Sequence, residues 1–306
     1  MTEPPTPVPS SFRSETGRYR EVATVLVRVL LLNVTVAAAK LAFGYATGTV
    51  SILSDGFHSL TDSASNIVAL VGITIAGKQP DPNHPYGHRK YETMASIGIA
   101  VMLLLVMVEL LRAGVGRLSG GTPPTVTLSS FLIMIGTLGV NVFVVRYERV
   151  AGERLSSEVL LADSKHTQSD IATSLAVILA LLGIREGFPI LDPLAALVVA
   201  VFIGYAGYTI ARDASDILSD RIVIAEDDLR RVVLGVPEVL GCHRVRTRGP
   251  ADHVFLDLHI RLDPDTRLEN AHAISHLVKD RLMARYPQIA DAVIHIEPAA
   301  PGTAGM

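Results

Sequence analysis

Apolar residues dominate six stretches of the chain, at roughly 22–46, 51–77, 92–116, 126–147, 157–184 and 190–211. Each approaches the ~20 residues that cross a bilayer. The connections between them are short, and glycines recur inside them as membrane helices tolerate. The second and fifth stretches fit least well, because each carries charged residues in mid-run. Beyond Asp213 the pattern changes. Residues 226–234 read as a short helix and 239–247 as a strand, while 253–262 (HVFLDLHIRL) alternates with the period of two that marks a half-buried strand. Residues 267–286 read as an amphipathic helix stopped by Pro287, and 291–297 as a last strand. The predicted fold is an α-helical membrane protein with six transmembrane helices, followed by a small α+β domain of order αββαβ. That domain is ferredoxin-like or metallochaperone-like, with helices on one face of a sheet. The expected boundaries are a polar, proline-rich disordered tail (1–21), a six-helix transmembrane domain (22–213), a cytoplasmic domain (214–298) and a short tail (299–306).

Lysine and arginine in the connections set the expected orientation. Arg13, Arg18 and Arg20 precede the first stretch. Lys78, Arg89 and Lys90 follow the second, and Arg146, Arg149 and Arg154 follow the fourth; the first connection has none, and the third and fifth have only Arg117 and Arg185 at their edges. Both termini are therefore expected in the cytoplasm, with the protein in the cell membrane. Composition agrees: 19% of the 306 residues are charged and 49% hydrophobic, against about 25% charged in soluble domains. A net charge of −3 without a basic block gives no reason to expect nucleic acid as a partner. The one cysteine, Cys242, excludes a disulfide framework and a multi-cysteine zinc site.

The second and fifth stretches share one pattern, D-x-x-H-x-x-x-D: Asp55, His58 and Asp62 in one, Asp163, His166 and Asp170 in the other. Spacings of three and four put each set on one helical face. If the domain divides into two three-helix halves, these helices correspond and run antiparallel, as in inverted repeats built around a midplane site. Ionisable groups in hydrocarbon are costly and usually mark a transport path. Two imidazoles and two carboxylates offer a tetrahedral site suited to zinc and related divalent ions. The alternative is a buried polar network that only joins helices. Asp55 and Asp163 are open between outer ligand, proton carrier and structural cap.

The paired His-x-x-x-Asp motifs on the second and fifth of six helices, with a small C-terminal domain after them, resemble the cation diffusion facilitator family. The resemblance runs from about residue 22 to 298. It implies a homodimeric, proton-coupled exporter of zinc or a similar divalent metal, with His58, Asp62, His166 and Asp170 as the transport site. A histidine at position 58 is similar to zinc-preferring members; Fe2+, Mn2+, Co2+, Ni2+ and Cd2+ are the other candidate substrates. The resemblance also implies a second metal site at Asp81, His84 and His88 in the connection after the second helix. Pro82 stands where some members have a further acid. It implies as well a charge pair between Lys90 and Asp220, near the membrane surface of the dimer.

In the small domain, alternation puts His259, His295 and Glu297 on one sheet surface away from the helices, with His243 on the neighbouring strand. His272, on the long helix, is placed to reach that surface from a dimer mate. These five positions match cytoplasmic metal sites of the resembled family, which implies a regulatory role for metal bound there. His253 and His276 match nothing and read as surface residues. An intramembrane metalloenzyme is the competing class. It would require an open metal position with a base or nucleophile, yet there is no H-E-x-x-H and the polar stripes carry only weak nucleophiles such as Ser59 and Thr167. A passive channel is the other alternative, and its flux would ignore a proton gradient.

Overall fold

The computed structural model describes residues 10–47, 50–118, 128–185, 188 and 190–299. The chain divides into two compact units, Met1–Ala214 and Ser215–Met306. In the first, six long helices follow one another: α1 (Ser10–Thr47), α2 (Val50–Ala76), α3 (Lys90–Leu118), α4 (Leu128–Leu155), α5 (Glu158–Arg185) and α6 (Leu191–Leu218). Four of them, α1, α3, α4 and α6, contain segments long and apolar enough to cross a membrane. In α2 the apolar part is the shorter Ser63–Ala76, beyond the motif that carries its polar residues.

α1 packs along α2, α4 along α5, and α3 against both α2 and α5. The α2–α3 crossing is close because Gly72 has no side chain: a Cβ there would fall on the Ala95 methyl. α6 meets α3 through Gly204 and Gly207, which lie against Met107 and the Ala100 carbonyl. Leu26, Ile73, Ile99, Leu103, Leu160 and Ile203 fill the interior of this unit.

Two boundaries differ from the sequence expectation. α1 begins at Ser10, inside the stretch expected as a disordered tail. The polar start of this helix has a tertiary anchor. Arg18 donates to the Glu92 carboxylate (3.0 and 3.3 Å) and to the carbonyls of Leu155 (2.6 Å) and Ser156 (2.7 Å), and Tyr19 is buried beside it. α4 likewise runs on to Leu155, so Arg146, Arg149 and Arg154 stand on a helix and not in a loop. Glu92, 3% exposed, also accepts from Ser157 (2.6 Å), and Thr93 donates to Glu158 (2.9 Å). The starts of α3 and α5 are thereby tied to α1.

The second unit contains α7 (Glu226–Val233), β1 (Gly241–Arg248), β2 (Val254–Leu262), α8 (Leu268–Arg285) and β3 (Ile289–Pro298). The sheet order is β1-β2-β3, with β2 antiparallel to β1 and parallel to β3. β2 is the central strand, and its residues alternate strictly between buried and half-buried. Val254, Leu256, Leu258 and Ile260 pack with Leu229, Val233, Val278 and Leu282 from the two helices into the core.

Candidate metal sites

Between the helices of the first unit lies a cavity of about 400 Å³, lined by Lys40 of α1, Ser59 of α2, Glu109 of α3, Asn141 of α4 and His166 with Asp170 of α5. His166 is 3% exposed, and neither ring nitrogen has a hydrogen-bond partner among the described residues. An imidazole buried without partners forgoes the bonds that normally offset its desolvation, and its nitrogens are left open to a metal ion. Lys40, 5% exposed, donates to Ser59 Oγ (2.7 Å). The backbones of Asp55, His58 and Asp62 belong to α2, but their side chains lie outside the described residues. Ser59, the residue after His58, lines the same cavity as His166 and Asp170.

One turn before His166, Asp163 is fully buried and accepts a hydrogen bond from the Asn66 amide; Asn66 in turn accepts from Asn33 (2.9 Å). Among the described residues the other Asp163 oxygen has no donor. Nor does either oxygen of Glu148, which is also fully buried and lies near the Asp163 carboxyl. Two neighbouring carboxylates in a dry interior repel one another unless a cation, proton or metal, lies between them.

Sequence reasoning missed Glu148, because ending the fourth helix at 147 left this acid in a loop. It passed over Lys40 and Glu109 as well, although a lone charge inside an apolar run was the available signal. Asn33 and Asn66 carried no comparable signal.

In the connection between α2 and α3, Asp81, His84 and His88 come together with one ligand atom each within 4.8 Å of the others. Asp81 and His84 exchange backbone hydrogen bonds (3.3 and 3.0 Å). Gly87, at φ +84°, makes the turn that brings buried His88 back beneath them. Asp81 Oδ1 lies 3.2 Å from His84 Nδ1, Oδ2 lies 3.3 Å from His88 Nε2, and the two rings sit 4.3 Å apart. Desolvation pushes the Asp81 carboxyl up, but the His84 amide, its ring and the Asn83 amide together hold it below the usual range.

On the sheet, register puts His243 opposite His259 and His259 opposite His295, a row across three strands. Glu297 joins the row: His259 Nδ1 lies 2.8 Å from Oε1 and His243 Nε2 lies 3.2 Å from Oε2. His243, His259 and Glu297 offer atoms within 4.8 Å of one another. His295 stands at the rim, 3.9 Å from Glu297, with its ring 4.5 Å from that of His259. Hydrogen bonding to His259 lowers the Glu297 carboxyl below its usual range, against some desolvation and with help from His243. Desolvation lowers His243 in spite of Glu297, with Arg261 adding to the effect.

Within one chain His272 does not join this cluster. It stands on α8 with its ring 4.5 Å from His276. His253 packs edge-on against Phe255. Lys90 opens α3 in the first unit, and Asp220, at φ +57°, follows α6 in the second.

Residues 26–219 match the family model of the cation efflux transmembrane domain, and residues 224–299 that of the cation efflux protein cytoplasmic domain. The chain is 29% identical to an uncharacterised transporter of Methanocaldococcus jannaschii, covering 91% of this chain and 99% of that one. It is 28% identical to the cation-efflux pump FieF of Shigella flexneri, with 93% of each chain covered. Similarity to the manganese efflux system protein MneP of Bacillus subtilis is 26%, over 91% of this chain and 96% of the relative.

Proposed function

Because the chain belongs to the cation diffusion facilitator family, we propose that it exports divalent metal ions from the cytoplasm in exchange for protons, with zinc as the leading substrate. Its class is that of a membrane transporter and not an enzyme. Relatives named for manganese efflux and for cation efflux support divalent metal as the cargo. The observation that carries the reading is His166, a buried imidazole with both nitrogens unpartnered among the described residues, on a cavity that also holds Asp170. With His58 and Asp62 from α2 this gives two nitrogens and two carboxylates, a donor set that suits zinc in tetrahedral geometry.

The proton coupling follows from the same donors. A metal-loaded histidine must be neutral and each aspartate ionised, so binding expels protons and release recovers them. Histidine, with an ordinary pKa of about 6.5, titrates near cytoplasmic pH. All six long helices span the membrane in this reading; α5 carries the cost of its polar residues because His166 and Asp170 line the cavity. Both termini are cytoplasmic, the transporter works as a homodimer in the cell membrane, and Lys90 with Asp220 forms a charge pair near its surface.

Asp81, His84 and His88 form a metal site on the cytoplasmic face. His243, His259, His295 and Glu297, with His272 of the partner subunit, form a regulatory one. Metal bound there tightens the paired C-terminal domains and biases the membrane part. Equilibrium dialysis of the purified full chain against zinc, manganese, iron(II) and cadmium tests the transport site. His166→Ala should abolish the binding that survives when the two cytoplasmic sites are mutated; undiminished binding would remove His166 from the site.

A further inference from the structure

On the outer side of α1 and α4, away from the cavity, is an open cleft of about 640 Å³. Its walls are two helical stripes. Arg20, Thr24 and Arg28 recur every fourth residue on α1, and Phe143, Arg146, Tyr147, Val150 and Arg154 follow spacings of three and four on α4. Four arginines face a single acid, Glu21, which is taken by Arg154 (2.9 Å). Among the described residues no carboxylate pairs with Arg20, Arg28 or Arg146. The partner of Arg28 is the neutral hydroxyl of Tyr147 (3.1 Å).

The placement sharpens the point. Arg28 lies well inside the apolar segment Gly17–Phe43, and Arg146 inside Phe131–Leu155, yet both are exposed. Charged residues in such segments normally face a protein interior and find a partner there; these two point outward, and among the described residues neither pairs with a carboxylate. Between them the cleft is apolar. Val25 and Ala151 are buried in its floor, and exposed Val150 and Phe143 flank it, with Phe143 stacked on Tyr147 at 6.0 Å.

We propose that this cleft is a binding site for an anionic phospholipid, its phosphate held by Arg20, Arg28 and Arg146 and an acyl chain lying along Val25, Phe143 and Val150. Guanidinium groups bind phosphate through paired N–H donors, and basic pockets between membrane helices recognise charged headgroups. The unmatched positive charge selects an anionic lipid over a zwitterionic one, whose choline the arginines repel. The apolar walls select a lipid over free phosphate.

The test uses the full chain reconstituted in equal parts of phosphatidylglycerol and phosphatidylcholine, re-extracted, with the phospholipid retained per chain counted by mass spectrometry. Wild type should retain phosphatidylglycerol in excess. The doubly substituted Arg20→Gln/Arg146→Gln should lose that excess by roughly five-fold for each arginine removed, the equivalent of ~1 kcal/mol per arginine at an anionic surface. Arg149→Gln, whose partner is Glu153 (2.9 Å) outside the cleft, should leave it unchanged. Arg28→Gln alone serves as a second variant should the double one fail to fold. Equal retention of both lipids by wild type, or undiminished selectivity in the variants, overturns the proposal. So does complete displacement by inorganic phosphate, which would make the cleft a site for free anions.

Discussion

The groups around His166 and the groups around Glu297 are both histidine–carboxylate clusters, yet they stand in opposite conditions. Inside the helical unit, His166, Glu148 and Asp163 are buried and leave five polar atoms without partners among the described residues. On the sheet, His243, His259 and Glu297 are half-exposed and satisfy one another through bonds of 2.8 and 3.2 Å. An unsatisfied buried cluster demands a cation, whereas a self-paired cluster near solvent holds its shape without one. Metal reaching the sheet must displace existing hydrogen bonds and protons; metal reaching the cavity meets the His166 ring, whose nitrogens have no hydrogen-bond partner among the described residues. That contrast fits cargo in one place and sensing in the other.

The largest expected effect is on the buried side. Replacing His166 or Asp170 with alanine should lower transport by more than about 100-fold, since even outer-shell partners of a metal cost 10–100-fold. Vesicle flux measurements check it. If His243→Ala had an equal effect, the contrast would fail, because the sheet cluster would then be doing the transport.

Next comes the support of the buried side. Asn66→Ala removes the donor to Asp163 and should cost about 1–3 kcal/mol of stability, the usual result of leaving a buried acceptor unsatisfied. Thermal unfolding of the detergent-solubilised chain reads this out. Glu148→Gln, which supplies an amide donor to Asp163 in the same shape, should hold or raise the melting temperature while slowing metal flux. An unchanged flux would show Glu148 to be idle.

On the sheet, His259→Ala should weaken metal binding to the C-terminal domain by about 10–100-fold and leave the melting temperature within a degree or so of wild type, as a half-exposed residue away from the core does. Isothermal titration of a chain with His166, His84 and His88 replaced by alanine reports this site without interference from the other two.

The smallest effect is that of pH on the same cluster. Glu297 titrates lower in the folded domain than in the unfolded chain, so its stabilisation is complete above its ordinary value of about 4.3 and is lost as pH falls through the folded value. His243 also titrates lower when folded, so the fold favours its neutral ring and loses stability as pH falls below about 6.5. Both act in the same direction: mild acid should loosen this domain and bare metal affinity should fall with it. Circular dichroism across that range, for wild type and Glu297→Gln, separates the carboxylate from the histidine.

What could be read from the sequence depended on whether a residue's neighbours along the chain are also its neighbours in space. The β2 alternation and the Asp-x-x-His-x-x-x-Asp spacing are local, so the central strand and the α5 face were legible. So was the Asp81, His84 and His88 cluster, whose members are a turn apart. The row His243, His259 and His295 needed only strand pairing. Glu148 and Asn66 meet Asp163 from two other helices, and no spacing encodes that. The early start of α1 was hidden for the same reason, since Arg18 is held by Glu92 and by carbonyls more than a hundred residues away. Polar residues at a helix end read as a tail or loop until their tertiary partners are known.

The most direct test of the account is flux of divalent metal into reconstituted vesicles carrying an imposed pH gradient. Zinc movement should collapse when the gradient is dissipated and disappear in His58→Ala/Asp170→Ala. Metal movement that persists without the gradient, or in the doubly substituted protein, would contradict it.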